Sequence, residues 1–154
     1  MPKTLQTSQL APHVGAELGV SDWLLIDQNC VDVFAAATGD EQWIHTDPTR
    51  AAGGVYGTTV AHGLLTLSLL PQLAAQVYRI DGARSRINYG YDRVRFPQPV
   101  LVGSRIRDRI VLDAVEPVPT GLRVRMTHTV EIEGTDRPAC VASALLQLIM
   151  EEGA

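Results

Sequence analysis

No apolar run in this chain of 154 residues reaches the roughly 20 residues that a membrane-spanning helix requires. The N-terminal stretch MPKTLQTSQLAPHV also lacks the long apolar core of a secretory signal. A cytoplasmic protein that does not enter a membrane is the expectation. Cationic excess is missing too. The 13 basic and 17 acidic residues leave a formal charge of −4, so no global field draws in nucleic acid or an anionic bilayer, and an anionic ligand would have to be met locally. Cysteine is scarce: Cys30 and Cys140 are far apart, form no CxxC pattern and lie among apolar or small residues. That predicts two buried free thiols rather than a disulfide or a nucleophile. Repeats, low-complexity tracts and linkers are absent as well. One domain over residues 1–154 is therefore expected, with 1–13 as a loosely held lead-in.

What is present is an ordinary globular balance, 45% hydrophobic and 19% charged, enough to bury a core without staples. Ser21 to Ile26 reads as a short strand. Asp27 then offers an N-cap for a helix carrying Val31, Phe34 and Ala35 on one face, and Gly39 offers its C-terminal stop. Asp40 to Thr59 is irregular, with short turns at most, and loops of that length are commonly functional. The next segment, AHGLLTLSLLPQLAAQVYR, predicts a helix apolar on every side of its first half and therefore enclosed by protein, with Pro71 kinking it. After Gly82 the period becomes that of strands. Leu122 to Glu133 alternates cleanly, Arg105 to Leu112 repeats the pattern, EPVPTG connects the two, and Ala139 to Ile149 adds a strand with small Ala142 and Ala144 on one face. This order predicts an α+β fold in which an antiparallel sheet wraps a long central helix, leaving sheet edges as candidate dimer surfaces.

Asp40 and His45 stand at the head of the irregular segment. A carboxylate beside an imidazole can fix its tautomer and share with it the deprotonation of a water; a helix-end aspartate and a surface histidine are the plainer alternative. Gly63 opens the buried helix, where the first N–H groups are unpaired at the positive end of the dipole. A carbonyl oxygen can approach such an N–H closely, as in an oxyanion hole; a glycine required only by packing is the alternative.

Together, FAAATGDEQWIHTDP (Phe34 to Pro48), AHGLLTLSLL (Ala61 to Leu70) and VRFPQPVLVGSRI (Val94 to Ile106) resemble the MaoC-like, R-specific enoyl-CoA hydratase family, whose hot dog fold wraps a sheet round a helix. The resemblance implies that Asp40 and His45 handle the water, that Gly63 supplies the oxyanion-hole N–H, and that Gln42 and Ser68 contact substrate; Asn88, in INYG, could hydrogen-bond near the Asp40–His45 pair and so also contact substrate. Gln42 and Trp43 depart from the family's Asn and Pro. Ser68 could equally bond back to the Leu64 carbonyl. The implied reaction is hydration of a trans-2-enoyl thioester to the (R)-3-hydroxyacyl product, reversible, with no metal and no cofactor beyond the coenzyme A, or acyl carrier protein, that carries the substrate. A homodimer is implied as well.

Other polar residues carry less. Arg84, Arg86, Arg93 and Arg95 are candidates for the phosphates of coenzyme A by their nearness in sequence. His62 reads as a capping or interface residue, and His128 with Asp108 as a satisfied buried pair. A metal site from His45, Asp47 and His62 lacks any compact ligand spacing. Two other functions remain open. A thioesterase on the same fold would commonly place an acid on the central helix, and none occurs from His62 to Ile80. A non-catalytic acyl-thioester binding protein would not need the Asp, His and Gly set.

Overall fold

The computed structural model describes residues 1–150. Strands β1 (Lys3–Gln6), β2 (Glu17–Val20) and β3 (Leu24–Leu25) precede helix α1 (Gln28–Thr38). Two single-turn helices follow, α2 (Trp43–Thr46) and α3 (Pro48–Ala52), and then α4 (Gly63–Ser68) and α5 (Leu70–Val77). The chain ends in strands β4 (Tyr78–Asp81), β5 (Ser85–Arg95), β6 (Arg105–Val118), β7 (Gly121–Ile132) and β8 (Cys140–Ile149). The main sheet is antiparallel in the order β2-β6-β7-β8-β5, with β3 extending the β2 edge of β6. It packs on α4 and α5, as the sequence pattern predicts.

Local signals operate where expected. The Asp27 side chain accepts from the Cys30 N–H at 2.8 Å, a cap worth about 1 kcal/mol. Gly39 closes α1 at φ 75°, its N–H donating to Ala35 O at 2.8 Å, in the left-handed region where a side chain is disfavoured. On β7 the even residues Val124 to Ile132 are buried. Pro119 and Thr120 form the two-residue connection between β6 and β7.

Several expectations need correction. Residues 1–13 are not loosely held: β1 pairs in parallel with β4, and Leu5 and Leu10 are buried. Two leucines filling the core outweigh the polar composition around them. The central helix divides at Leu69, the N-cap of α5, two residues before Pro71, where the proline was expected to interrupt it. Proline has no N–H for a continuous ladder and is accommodated in the first turn of a new helix. The helix also ends at Val77, because Tyr78 and Arg79 enter β4. Leu64 is 61% exposed, so α4 is not enclosed on every side. Within Ser21 to Ile26 only Leu24–Leu25 are strand. Both cysteines are free, Cys140 buried and Cys30 only half-buried, and burial pushes the Cys140 thiol up to about 11.

The core has two lobes. One gathers Val31, Leu65, Leu70, Leu73, Ile106, Val130 and Ala142 beneath α1 and α4. The other gathers Leu5, Leu10, Ala74, Val77, Ile110, Met126 and Leu148 beneath α5 and β4. On β7, His128 lies between Met126 of one lobe and Val130 of the other.

Candidate active site

The site forms where α1 ends. Gly39 turns the chain out of the helix and leaves the Asp40 carboxylate 55% exposed. His45, by contrast, is buried in α2. Its Nδ1 lies 2.6 Å from Val60 O. A carbonyl only accepts, so Nδ1 carries the proton and Nε2 remains the nitrogen that can take or give one. The turn bearing this ring is tied down from behind. The Gln28 amide nitrogen donates to His45 O at 2.7 Å, and its amide oxygen accepts from the Thr59 hydroxyl. Val60 N donates to Ile44 O at 3.0 Å. Backbone and side-chain bonds thus converge to fix one imidazole.

His62 is the residue whose part the sequence understates. It is buried, and its ring stacks on His45 with centroids 3.7 Å apart and planes 23° from parallel; Phe34 flanks it at 5.0 Å. Its Nε2 donates to Asp40 O at 2.8 Å. His62 is also the N-cap residue of α4 and immediately precedes Gly63. One side chain therefore touches both members of the Asp40–His45 pair, and its backbone leads into the helix start. Nothing local in the sequence reports this, because the stack joins segments seventeen positions apart.

Polar atoms of Asp40, His45 and His62 all lie within 4.8 Å of one another. This set, rather than His45, Asp47 and His62, is what could contribute to a divalent-ion site. Asp47 instead caps α3, accepting from Arg50 N at 2.9 Å. The donors fit an ion poorly. Imidazole lone pairs lie in the ring planes, and two nearly parallel stacked rings direct them side by side rather than at one point, while Nδ1 of His45 and Nε2 of His62 already serve carbonyls.

Gly63 is the first residue of α4. Among the described residues no backbone carbonyl outside the helix accepts its N–H, so the donor is available. An added Cβ would also meet the Phe96 ring at 3.0 Å, so packing alone requires glycine too.

The remaining expected contacts are dispersed. Gln42 is exposed at the N-cap of α2, its carbonyl accepting from His45 N at 2.9 Å while its side chain caps nothing. Trp43 stacks under the Arg50 guanidinium at 4.4 Å and packs on Gly54. A ring thus braces α2 against α3 where the family pattern has proline. Ser68 donates to Leu64 O at 2.7 Å and is exposed. Asn88 donates to the Tyr91 hydroxyl at 3.4 Å and lines a cavity beside α5 whose walls include neither Asp40 nor His45. The four arginines do not form one cluster: Arg86 lines that cavity, while Arg93 and Arg95 line another cleft with Thr127 and Ser143.

Comparison with known proteins gives the family and the fold. Residues 9–135 match the family described as MaoC like domain. The chain is 49% identical over 143 residues to 3-hydroxyacyl-thioester dehydratase Z of Mycobacterium tuberculosis, covering 92% of this chain and 95% of that protein. It is 43% identical over 142 residues to nodulation protein N of Rhizobium leguminosarum bv. viciae, covering 90% and 88%. Among solved structures, the unliganded R-hydratase PhaJ1 from Pseudomonas aeruginosa superposes with a TM-score of 0.75 at 26% identity, covering 94% of this chain and 86% of that one. An (R)-hydratase from A. caviae gives 0.72 at 24% identity, over 88% and 96%, and supports the fold.

Proposed function

The chain belongs to the MaoC-like domain family, and from that premise we propose that it is a hydro-lyase, adding water to trans-2-enoyl thioesters and removing it from (R)-3-hydroxyacyl thioesters. The observation that carries this reading is the pairing of an exposed Asp40 carboxylate with a buried, single-tautomer His45 within 4.8 Å. Among the described residues no direct hydrogen bond joins the two side chains, and a gap of up to 4.8 Å has room for a water held by both groups.

In the hydration direction the thioester carbonyl lies on the Gly63 N–H. The water held by Asp40 and His45 loses a proton to one of them as its oxygen bonds to C3. The C2–C3 π electrons move toward the carbonyl, and Gly63 stabilises the developing oxyanion. A proton then goes to C2, restoring the carbonyl. Water fixed on one face of the enoyl group gives a single enantiomer. The thioester is its own electron sink, so the step requires neither metal nor redox cofactor. His62 acts as a positioning residue: it holds the Asp40 backbone by hydrogen bond and the His45 ring by stacking.

The chain pairs with a second copy along the outer edge of β5, an eleven-residue strand that among the described residues is bonded on one side only and that exposes Ile87 and Tyr89. An open edge of this length is a ready pairing surface. Light scattering tests it: a dimeric mass is expected, and a monomer at micromolar concentration would remove it.

The first test of function is crotonyl-CoA hydration, followed by loss of enoyl-thioester absorbance and by chiral analysis of the product. Rapid formation of the (R)-3-hydroxy product is expected. Release of free thiol would replace this reading with a thioesterase, and absence of turnover would replace it with a binding protein.

A further inference from the structure

The cavity beside α5 holds about 310 Å³, within the range of small-molecule pockets. Leu70, Pro71 and Ala74 form its helical wall. Leu70 lies seven residues beyond Gly63, about 10 Å along the helix axis at the usual rise. An acyl chain whose carbonyl rests on Gly63 and which follows α4 therefore arrives at this cavity after several methylene groups.

The cavity is not the plain apolar sleeve that such a chain would need. His128 lies in its wall, and His128 Nδ1 is 2.7 Å from Oδ2 of Asp108, which is fully buried. His128 Nε2 bonds to no protein group among the described residues and, unlike Asp108 Oδ1, is not sealed from the cavity. Tyr78, Tyr91, Asn88 and Arg86 share the lining. Burial, the largest influence, pushes the Tyr78 hydroxyl up to about 12, with Asp108 and Tyr91 adding to the shift and Arg86 opposing it. A buried Asp–His pair adds little stability relative to apolar residues of the same volume, which leaves its open nitrogen as the feature that a ligand can use.

Resting on the hydratase reading, we propose that this cavity takes the distal part of the substrate's acyl group and selects acyl groups that carry a hydroxyl there, bonded to His128 Nε2 and to the tyrosine and asparagine groups opposite. A hydroxyl both donates and accepts, so it suits His128 in either tautomer. A carboxylate would require the imidazolium, and an unsubstituted chain would strip water from every polar group in the wall without replacing it.

The test is steady-state hydration of crotonyl-CoA, trans-2-dodecenoyl-CoA and dodecenoyl-CoAs bearing one hydroxyl at mid-chain or at the far end. One of the hydroxylated substrates is expected to exceed the unsubstituted chain about tenfold or more in kcat/KM, the size of one well-made hydrogen bond. The ratio should fall toward one in His128→Leu. Asn88→Leu and Tyr91→Phe carry the same comparison if the buried substitution impairs folding. Because the readout is a ratio within each protein, a general loss of activity cancels. Equal or better turnover of the unsubstituted chain, with crotonyl-CoA still hydrated, would overturn this proposal and leave the hydratase reading standing. Failure to hydrate any of these substrates would overturn both.

Discussion

Two Asp–His sets occupy this chain, and their surroundings oppose each other at each point. Asp40 is 55% exposed, its carboxylate belongs to a set of atoms spread over up to 4.8 Å, and it lies on a loop that His62 ties down. Asp108 is fully buried and hydrogen-bonded to His128 at 2.7 Å between two strands of a rigid sheet. The same two side chains are thus arranged once with room for a water and once with the donor and acceptor already satisfied by each other. Residue type does not assign chemistry; spacing and solvation do. A set held slightly apart at a solvent-facing edge can transfer a proton to a third molecule, whereas a directly bonded pair presents only its outer nitrogen.

The largest effect that separates the two sets is on stability. His128→Leu leaves Asp108 buried without its partner and should destabilise the fold by about 3–5 kcal/mol, while the double variant Asp108→Leu/His128→Leu recovers most of that loss. Urea unfolding measures both. A mild single substitution would mean that Asp108, left without its partner, takes up a proton rather than remaining a buried charge.

Activity should divide in the opposite sense. Asp40→Asn and His45→Gln are expected to lower kcat for crotonyl-CoA hydration by about 10²-fold or more, the scale of a lost acid–base contribution, with the unfolding midpoint little changed for the exposed Asp40. Full activity in either variant would remove that residue from the water-handling step.

These contrasts also mark what the sequence disclosed. The α1 helix was legible because its signals are local: Asp27 caps it and Gly39 stops it. The β6–β7 hairpin was legible because alternation over twelve residues has one reading. The nearness of Asp40 to His45 was anticipated by the motif, although the departure at Trp43 made sense only once Arg50 and Gly54 were seen against the ring. Tyr78 and Arg79 were read as helix since apolar spacing continues across Val77 with no glycine or proline to mark the end. Leu5 and Leu10 looked like part of a polar lead-in because burial against Ile80 and Leu112 is a tertiary fact. His62 was read only as a capping or interface residue, and Gln28 was not singled out, for the same reason: each joins segments far apart in the chain. Asn88 was expected near the Asp40–His45 pair and lines the cavity beside α5 instead.

A smaller effect is expected at His62. In His62→Phe an aromatic ring still stacks on His45, but the donor to Asp40 O is lost. A positioning role predicts about a tenfold fall in kcat with KM little changed, and partial rescue in His62→Gln, whose amide can restore the donor. If His62→Phe instead lowers only thermal stability, the stack serves packing and the Asp40 loop is held by other contacts.

The smallest expected effect is a slope. Burial, the largest influence on Asp108, holds its carboxyl above the ordinary carboxylate range even though the His128 hydrogen bond opposes the shift. Folded Asp108 therefore keeps its proton at pH values where the unfolded chain has released it. With more protons bound in the folded state, stability falls as pH rises through the ordinary carboxylate value toward the folded one, and levels off beyond it. Asp108→Asn abolishes this titration, and its amide oxygen can still accept from His128 Nδ1. Unfolding free energies measured from about pH 4 to 7 should consequently decline less in the variant than in the wild type. Parallel curves would mean that Asp108 gives up its proton as readily folded as unfolded, and the contrast between the two Asp–His sets would then rest on spacing alone.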